Sequence, residues 1–300
     1  MINELVSVII TTYKRPYEIL YRAINSVINQ TYSNLEIIIV DDSPNDYSKR
    51  EEIKENIQEI YDSRISYIQH EFNRGGCAAR NTGIRNSHGN LIAFLDDDDE
   101  WGENKIELQL KAIEKENADF VYCAYKEVTE INEKIIKTQV KINNYDKKTY
   151  YNDLLCENYI GSVSFVMIKK KCFDSCGDFN EQLKSCQDWD MWIRILRKYK
   201  LCYIEEALVL YHKHENERIS TNCKNQLQGH KYILDNYQKY MKDNPKIIRI
   251  NMYRLSKIYA DNKNFKQAYK MWFYANRIDN INIRESIYYA LRIIKRILVS

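Results

Sequence analysis

The stretch Leu91–Trp101, LIAFLDDDDEW, joins five apolar residues directly to five consecutive acidic residues. An apolar run without polar alternation is typical of a strand that is covered on both faces in a parallel sheet. Trp101 closes the acidic run, so part of the run is held near the core. In open α/β sheets the ligand binds beyond the carboxyl ends of the strands. This stretch therefore predicts an α/β fold in which the functional side chains follow the carboxyl ends of the strands.

Two earlier runs repeat this arrangement. Val6–Ile10 (VSVII) and Leu35–Val40 (LEIIIV) are rich in β-branched residues, and polar residues follow each run, at Thr11–Tyr13 and at Asp41-Asp42. Pro16 suits the first turn of a helix, and apolar residues recur at helical spacing as far as residue 28. Alternating strands and helices predict a doubly wound α/β sheet.

The rest of the chain has weaker signals. Strands are predicted at Arg64–Ile68, Ala118–Cys123 and Ser162–Ile168, and helices at Cys77–Asn86, Asp188–Tyr199 and Arg284–Val299. From about residue 225 onward the pattern is almost entirely helical.

Composition narrows the class of protein. The hydrophobic fraction of 44% is ordinary for a globular protein. No apolar stretch approaches the ~20 residues that span a bilayer, and Met1–Val6 does not resemble the start of a signal peptide. We therefore expect a cytoplasmic protein. None of the eight cysteines forms a Cys-x-x-Cys pair, which predicts free thiols.

The net charge of +3 conceals an uneven distribution. Residues 223–300 carry 16 Lys and Arg against 5 Asp and Glu, a balance of +11, and the other 222 residues balance to −8. The basic segment could hold the protein at the surface of an anionic membrane, or it could be a solvated helical cap. A nucleic-acid partner is not expected.

The acidic run itself suggests a cation. Carboxylates packed this closely repel one another unless a cation neutralises them. Mg²⁺ and Mn²⁺ prefer oxygen ligands and can bridge the phosphates of a nucleotide. A solvated acidic loop is the alternative interpretation of such a run.

Five motifs carry a resemblance to a known family. They are VSVIITTYKRP (6–16), IIIVDDSP (37–44), NRGGCAARNTGI (73–84), LIAFLDDDDEW (91–101) and CQDWDMWIR (186–194). Their order and spacing resemble those of family 2 glycosyltransferases over about residues 5–220. The resemblance implies a GT-A type fold with a mixed sheet. It also implies a catalytic domain over 1–222, with a donor half to about 125 and an acceptor half over 126–222, followed by a basic helical extension over 223–300.

The resemblance assigns a nucleotide-binding role to four residues in the first three motifs. Thr11 and Tyr13 would hold the nucleoside, with the Tyr13 ring against the base. Asp42 would accept a hydrogen bond from a base N–H, usually of uracil, and Arg80 would face the diphosphate or ribose. Taken alone, Tyr13 is better explained as an ordinary loop aromatic. Asp42 is also compatible with a turn or N-cap aspartate, and Arg80 is equally compatible with a surface ion pair.

Asp96-x-Asp98 resembles the DxD motif of this family. Asp98 would be the direct metal ligand, and Asp96 would contact the ribose or a metal-bound water. Asp97 would share the nucleotide side of the cluster, although four consecutive aspartates leave the register open. The resemblance also places His214 near the metal or the phosphate, but a purely structural histidine remains an alternative, and His212 lies close by in sequence.

The candidate base is Asp188. Inversion at the anomeric carbon needs a carboxylate that removes the acceptor proton. The family more often has Glu before this aspartate, so Gln187 is a departure. Trp189, Asp190 and Trp192 are candidate acceptor contacts. The alternatives are that the tryptophans pack the helix onto the core and that Asp190 caps the helix or forms an ion pair.

The prediction is an inverting, Mg²⁺- or Mn²⁺-dependent transfer of a hexosyl or N-acetylhexosaminyl group from a nucleotide-diphosphate donor, expected to be a UDP-sugar. The acceptor would be a growing glycan or a lipid-linked saccharide, as in the synthesis of bacterial capsules and other surface polysaccharides. Two alternatives remain. A sugar-1-phosphate nucleotidyltransferase needs a glycine-rich phosphate loop, which Thr11–Arg15 lacks. A non-catalytic interaction protein would use the helical tail as its working surface.

Overall fold

The computed structural model describes residues 4–131, 134–141, 150–213, 222–278 and 283–299. The chain divides into two compact units. The first comprises Met1–Asn144, Ile160–Glu181 and Arg194–Glu215, and the second comprises Tyr145–Tyr159, Gln182–Ile193 and Asn216–Ser300. The functional division predicted at 125/126 and 222/223 stays a prediction.

The first unit is built on one mixed sheet. Its strands are β1 (Val6–Thr12), β2 (Leu35–Asp41), β3 (Ile65–Gln69), β4 (Leu91–Asp96), β5 (Glu100–Trp101), β6 (Phe120–Ile131), β7 (Lys134–Lys141), β8 (Val166–Lys169) and β9 (Leu201–Lys213). Their order is β3-β2-β1-β4-β8-β6-β9-β5, and β7 pairs with β6. The four strands at the β3 end are parallel, and β8 runs antiparallel to β4 and β6.

Eleven α-helices lie within the described residues. They are α1 (Tyr17–Ile28), α2 (Arg50–Gln58), α3 (Gly76–Arg85), α4 (Lys105–Glu116), α5 (Tyr150–Cys156), α6 (Lys171–Cys176), α7 (Gln187–Leu196), α8 (Cys223–Met241), α9 (Pro245–Asp261), α10 (Phe265–Ile278) and α11 (Ile283–Val299).

The core of the first unit follows from the apolar runs. The inward residues of β1, β2 and β4 and the buried face of α1 form one cluster of side chains that are at most 4% exposed. α3 packs closely on β1 because Gly83 has no side chain. A Cβ atom at Gly83 would lie 2.4 Å from Cγ2 of Ile9. This close approach fixes the position of α3 and of the residues that it carries.

Three predicted elements were wrong in extent. The strand predicted at Ser162–Ile168 begins only at Val166. A 3₁₀ turn precedes it, because the Ser162 side chain accepts a hydrogen bond from the Ser164 N–H. The helix predicted to reach Tyr199 ends at Leu196, and the strand predicted to end at Cys123 continues to Ile131.

Strand β9 was missed because its alternation is interrupted. Opposite Cys123 and Ala124 of β6, the register of β9 jumps from Ile204 to Ala207, so Glu205 and Glu206 bulge out of the pairing. A bulge shifts the period-2 pattern on which recognition of a strand depends.

The second unit is helical. α9 packs against α8, α10 and α11, and α5 packs against α9. The Ser256 hydroxyl of α9 donates a hydrogen bond to the Ala268 carbonyl of α10 at 2.8 Å. No helix in the described residues is long and apolar enough to cross a membrane. None of the eight cysteines, all of which lie in the described residues, is part of a disulfide bond, in agreement with the predicted thiols.

Candidate functional site

The polar residues that follow β1, β2 and β4 meet at one edge of the sheet. β1 lies between β2 and β4, and Thr11 is in register with Val40 on one side and with Asp96 on the other. The strand order reverses at β1, which is where ligands bind in open α/β sheets. The structure therefore brings the ends of these three strands together.

Asp97 is an internal member of the acidic run. The residue is 6% exposed, and its carboxylate accepts a hydrogen bond from the Thr12 hydroxyl at 2.7 Å. The Arg15 guanidinium donates to it from Nε at 2.9 Å and lies 2.8 Å away through Nη2. Burial raises the pKa of Asp97, and the charge of Arg15 opposes that rise. Asp97 therefore joins the acidic run to the loop after β1, and its predicted contact with nucleotide stays a prediction.

Asp99 is also internal. It is 1% exposed, and it accepts hydrogen bonds from the Ser164 hydroxyl at 2.6 Å and from the His212 N–H at 3.2 Å. Burial and the charges of Asp96 and Asp98 raise the pKa of Asp99 well above its usual value. Asp99 therefore takes up a proton more readily in the folded chain than in the unfolded chain.

Asp96 and Asp98 alternate with these buried residues and face outward. Their side chains are 31% and 25% exposed. Asp96 pairs with Nη2 of Arg80 at 2.9 Å and accepts a hydrogen bond from the Ser162 hydroxyl at 3.0 Å. Asp98 pairs with Nη2 of Arg15 at 3.2 Å. Exposure therefore favours Asp96 and Asp98, of the four aspartates, for contact with a ligand.

These carboxylates fit one kind of metal site. Within the described residues, no group of three His, Cys, Asp or Glu side chains is arranged to hold a metal ion. Mg²⁺ is usually bound by one or two carboxylates together with substrate phosphates and water, and Asp96 and Asp98 match that donor set. His214 lies outside the described residues, so its predicted role as a ligand stays a prediction.

Arg80 reaches the acidic run from α3. Its side chain is 13% exposed, and its guanidinium lies 5.8 Å from the centroid of the Phe179 ring. A Cβ atom at Gly76 would lie 3.6 Å from Nη1 of Arg80. Gly75, at φ 89°, has a backbone conformation that favours glycine. The two glycines thus have different roles, since Gly75 makes the turn into α3 and Gly76 lies against Arg80.

Asp42 holds the glycine-bearing loop. Its carboxylate accepts hydrogen bonds from the N–H groups of Arg74 and Gly75 at 2.8 and 2.7 Å, and it lies 2.7 Å from Nδ1 of His70. The other nitrogen of His70 lies 2.9 Å from the Thr82 hydroxyl. A carboxylate has about four acceptor positions. Because Asp42 already has three protein partners, about one position is left for a base N–H. The base contact of Asp42 stays a prediction.

Tyr13 is the exposed aromatic residue at this edge. It is 46% exposed, and Nζ of Lys14 lies 5.5 Å from the centroid of its ring. The Lys14 N–H donates to the Ser43 hydroxyl at 2.8 Å, which ties this loop to the loop after β2. Thr11 is partly buried at the end of β1. The Tyr13 ring is thus partly open to solvent.

The remaining candidates lie on α7, in the second unit. Asp188 is partly buried in the first turn of the helix, where the helix dipole favours a negative charge. Trp189 is 3% exposed, Trp192 and Asp190 are 0% exposed, and the Trp189 N–H donates to the Leu154 carbonyl at 2.6 Å. These burials match the alternative in which the tryptophans pack the helix onto the core. The predicted acceptor contacts stay predictions.

Asp190 has a partner that the sequence did not indicate. The hydroxyl of Tyr237, on α8, donates a hydrogen bond to its carboxylate. Because Tyr237 lies 47 residues away, no local pattern indicates this pair.

Sequence reasoning also gave no role to Arg15, Ser162, Ser164 or His70, which hold the carboxylates of the first unit in place. Arg15 could have been identified from the sequence, because it is a cation that closely follows β1. The neighbouring strand β4 runs into the acidic residues that Arg15 contacts. The two serines lie in a segment that was predicted to be strand, and His70 follows β3 without any motif.

Comparisons with known proteins agree with this geometry. The family model described as Glycosyl transferase family 2 matches residues 7–177. Escherichia coli K12 WcaA, a glycosyl transferase assigned to colanic acid biosynthesis, is 30% identical over 76% of this chain and 79% of its own. The uncharacterized glycosyltransferase MJ1057 of Methanocaldococcus jannaschii is 32% identical over 81% of this chain and 82% of its own.

A further relative carries a specific description. It is UDP-Glc:alpha-D-GlcNAc-diphosphoundecaprenol beta-1,3-glucosyltransferase WfgD of Escherichia coli, which is 32% identical over 66% of this chain and 72% of its own. Among solved structures, S. aureus TarS 1–349 in complex with UDP-GlcNAc superposes with a TM-score of 0.61 at 16% identity, over 89% of this chain and 90% of that one. At that identity the likeness concerns the fold.

Proposed function

The chain belongs to glycosyl transferase family 2, and we propose that it transfers a hexosyl or N-acetylhexosaminyl group from a UDP-sugar to a saccharide hydroxyl, with inversion. The predicted GT-A type fold, a mixed α/β sheet with a helical C-terminal region, is confirmed. Family membership argues against the nucleotidyltransferase alternative. The degenerate interaction protein remains the alternative that an experiment has to exclude.

One observation carries the proposed donor site. Two partly exposed carboxylates, Asp96 and Asp98, lie beside the guanidinium groups of Arg80 and Arg15 at the carboxyl edge of β1 and β4, and the Tyr13 ring is exposed at the same edge. A nucleoside diphosphate needs these elements, namely an aromatic face for the base and cationic groups for the phosphates. The edge of a parallel sheet where the strand order reverses supplies both.

The balance of charge supports a metal ion at this edge. Residues 96–100 carry five carboxyl groups, and within the described residues three arginines, Arg15, Arg22 and Arg80, contact them. A diphosphate would bring further negative charge to this edge, where Arg80 and Arg15 are already paired with Asp96 and Asp98. Asp98, with Asp96, would hold Mg²⁺ or Mn²⁺, which when bound offsets the charge of the departing diphosphate.

The names of the relatives support the choice of substrates. WfgD and WfaP of Escherichia coli, both 32% identical to this chain, are described as using UDP-Glc and a GlcNAc-diphosphoundecaprenol acceptor, and WcaA is assigned to polysaccharide biosynthesis. We therefore propose a UDP-linked donor, a saccharide on a lipid diphosphate as acceptor, and a role in bacterial polysaccharide biosynthesis at the inner face of the membrane.

Asp188 is the proposed base. Its carboxylate would take the proton from the acceptor hydroxyl as that oxygen attacks the anomeric carbon, while Arg80 stays on the diphosphate side. It lies in the first turn of α7, where the helix dipole favours a negative charge. The motif around it, CQDWDMWIR, supports this assignment despite the Gln187 departure.

The experiment measures UDP release from a panel of UDP-hexoses and UDP-N-acetylhexosamines with Mn²⁺ and a GlcNAc-diphospholipid acceptor. We expect release with one donor, and a loss of about 10²–10⁴-fold in Asp188→Asn because general base catalysis is removed. The Asp188→Asn variant should still bind UDP. The Asp98→Asn variant should lose both UDP binding and UDP release from the donor. Asp235→Asn, at an exposed position on α8, is the matched control. A folded protein that neither binds nor cleaves any donor would instead support the interaction-protein alternative.

A further inference from the structure

α11 carries an apolar stripe that is exposed to solvent. Its members are spaced by four, four, three and four residues, so they lie on one face of the helix. They are Ile283, Ile287, Leu291, Ile294 and Leu298, with exposed fractions of 66%, 53%, 59%, 51% and 79%. Five large aliphatic side chains in one row exceed the scattered apolar residues of an ordinary surface.

A different side of α11 joins the rest of the second unit. Ile293 is 7% exposed and belongs to a cluster with Ala260 and Ala268. The Ser286 carbonyl accepts a hydrogen bond from the indole N–H of Trp272 at 3.0 Å. The helix is therefore already docked, and the exposed stripe does not take part in that packing.

Exposed cations border the stripe along one flank. At 100° per residue, Arg284 and Lys295 follow directly beside Leu291 around the helix, and Arg292 and Arg296 lie further round. Tyr288, 51% exposed, lies within this flank, and the Arg292 guanidinium is 5.4 Å from the centroid of its ring. An aliphatic face bordered by Lys, Arg and Tyr is the pattern of a helix that lies in the headgroup region of a membrane.

A cationic cavity lies on the same flank. Its volume is about 200 Å³. It is lined by Lys257 and Asp261 of α9 and by Arg292, Lys295 and Arg296 of α11, together with Ala260. Asp261 accepts a hydrogen bond from Arg296 at 2.7 Å, which leaves an excess of positive charge. The excess of positive charge along this cavity suits an anionic phosphate group.

We propose that α11 is a membrane-contact surface, in which the apolar stripe enters the acyl boundary of a bilayer and the flanking cations bind anionic phospholipid headgroups. A second copy of the chain is a poorer occupant, because two such faces in contact would bring two rows of like charge together. The helix is 17 residues long and carries cations along its length, so it lies on a bilayer and does not cross it. This surface acts independently of the donor site.

The test is flotation of the full chain with vesicles of phosphatidylcholine alone and of phosphatidylcholine mixed with phosphatidylglycerol. We expect binding to the anionic vesicles that weakens with salt. Leu291→Glu with Leu298→Glu should lower the partition coefficient about a hundredfold, since two leucines no longer enter the bilayer. Arg284→Gln with Lys295→Gln should lower it about 25-fold, about fivefold for each cation.

Matched controls distinguish binding through α11 from nonspecific binding of the chain to vesicles. Tyr61→Glu changes a fully exposed aromatic residue of the first unit, and Lys115→Gln removes an exposed cation there. Both should keep the partition coefficient of the unsubstituted chain, and Asp98→Asn should keep it while losing donor binding. Thermal unfolding of each variant verifies the fold.

Two results would overturn the proposal. One is a well-folded chain that does not float with phosphatidylglycerol vesicles, or whose flotation is unaffected by the α11 substitutions. The other is a stable dimer in sedimentation experiments that Leu291→Glu with Leu298→Glu converts to monomer, since the stripe would then be an interface between copies.

Discussion

His230 offers a quantitative test of how the second unit is packed. Its imidazole lies edge-on to the Trp189 ring, with centroids 5.5 Å apart. Its Nδ1 is buried and has no hydrogen-bond partner among the described residues. Burial, together with the charges of Arg254 and Lys257 on α9, lowers the pKa of His230 to about 3. The folded chain therefore keeps this ring neutral over most of the acid range.

The size and sign of the effect follow from linkage. The unfolded chain protonates His230 below about pH 6.5, whereas the folded chain does so only near pH 3. Stability is therefore lost as pH falls through 6.5. If the whole shift in the pKa of His230 is counted, the free energy of unfolding falls by about 2 kcal/mol between pH 7 and pH 5. Because the ring is only partly buried, we expect the free energy of unfolding to fall by about 1–2 kcal/mol between pH 7 and pH 5.

The perturbation is His230→Phe, which keeps an aromatic ring against Trp189 but cannot take up a proton. Urea unfolding, followed by tryptophan fluorescence, gives the free energy of unfolding at pH 7 and at pH 5. We expect the variant to match the unsubstituted chain at pH 7 and to exceed it by about 1–2 kcal/mol at pH 5. If both proteins lose the same stability between the two pH values, the buried neutral imidazole is refuted.

Three further substitutions test the first unit by the same urea assay. Ser164→Ala removes the hydroxyl that donates to Asp99 and should cost about 2 kcal/mol; an unchanged midpoint would contradict the role given to this serine. Arg15→Gln leaves the buried carboxylate of Asp97 without its cation and should cost about 2–3 kcal/mol, and a loss below 1 kcal/mol would count against it. Burial lowers the pKa of Lys105 to about 8, so stability should rise by about 2 kcal/mol from pH 7.5 to 9.5; Lys105→Met should abolish that rise, and a rise that persists would refute the assignment.

The fold could be predicted where sequence pattern and burial coincide. β1, β2 and β4 are continuous apolar runs, and the structure places each within a residue or two of its predicted bounds. β5 and β9 were missed for a physical reason. A two-residue strand has no period to detect, and the bulge at Glu205-Glu206 breaks the alternation of β9.

The candidate site was likewise predictable from the sequence only in part. That polar residues gather at the ends of β1, β2 and β4 follows from the direction of parallel strands, so the sequence indicates it. The alternation within the acidic run, with Asp97 and Asp99 buried and Asp96 and Asp98 partly exposed, depends on Thr12 and Ser164. Ser164 lies more than sixty residues from the run. A single sequence carries no signal for such a long-range partner.

The donor site is tested most directly by titration of the chain with UDP, with and without Mn²⁺, followed by thermal unfolding. A UDP concentration of 100 times Kd should stabilise the fold by about 2.7 kcal/mol, and only when Mn²⁺ is present. Asp98→Asn should abolish this stabilisation, and Asp235→Asn should preserve it. Unfolding curves that UDP and Mn²⁺ leave unchanged in the well-folded, unsubstituted chain would contradict a nucleotide site at Asp96 and Asp98.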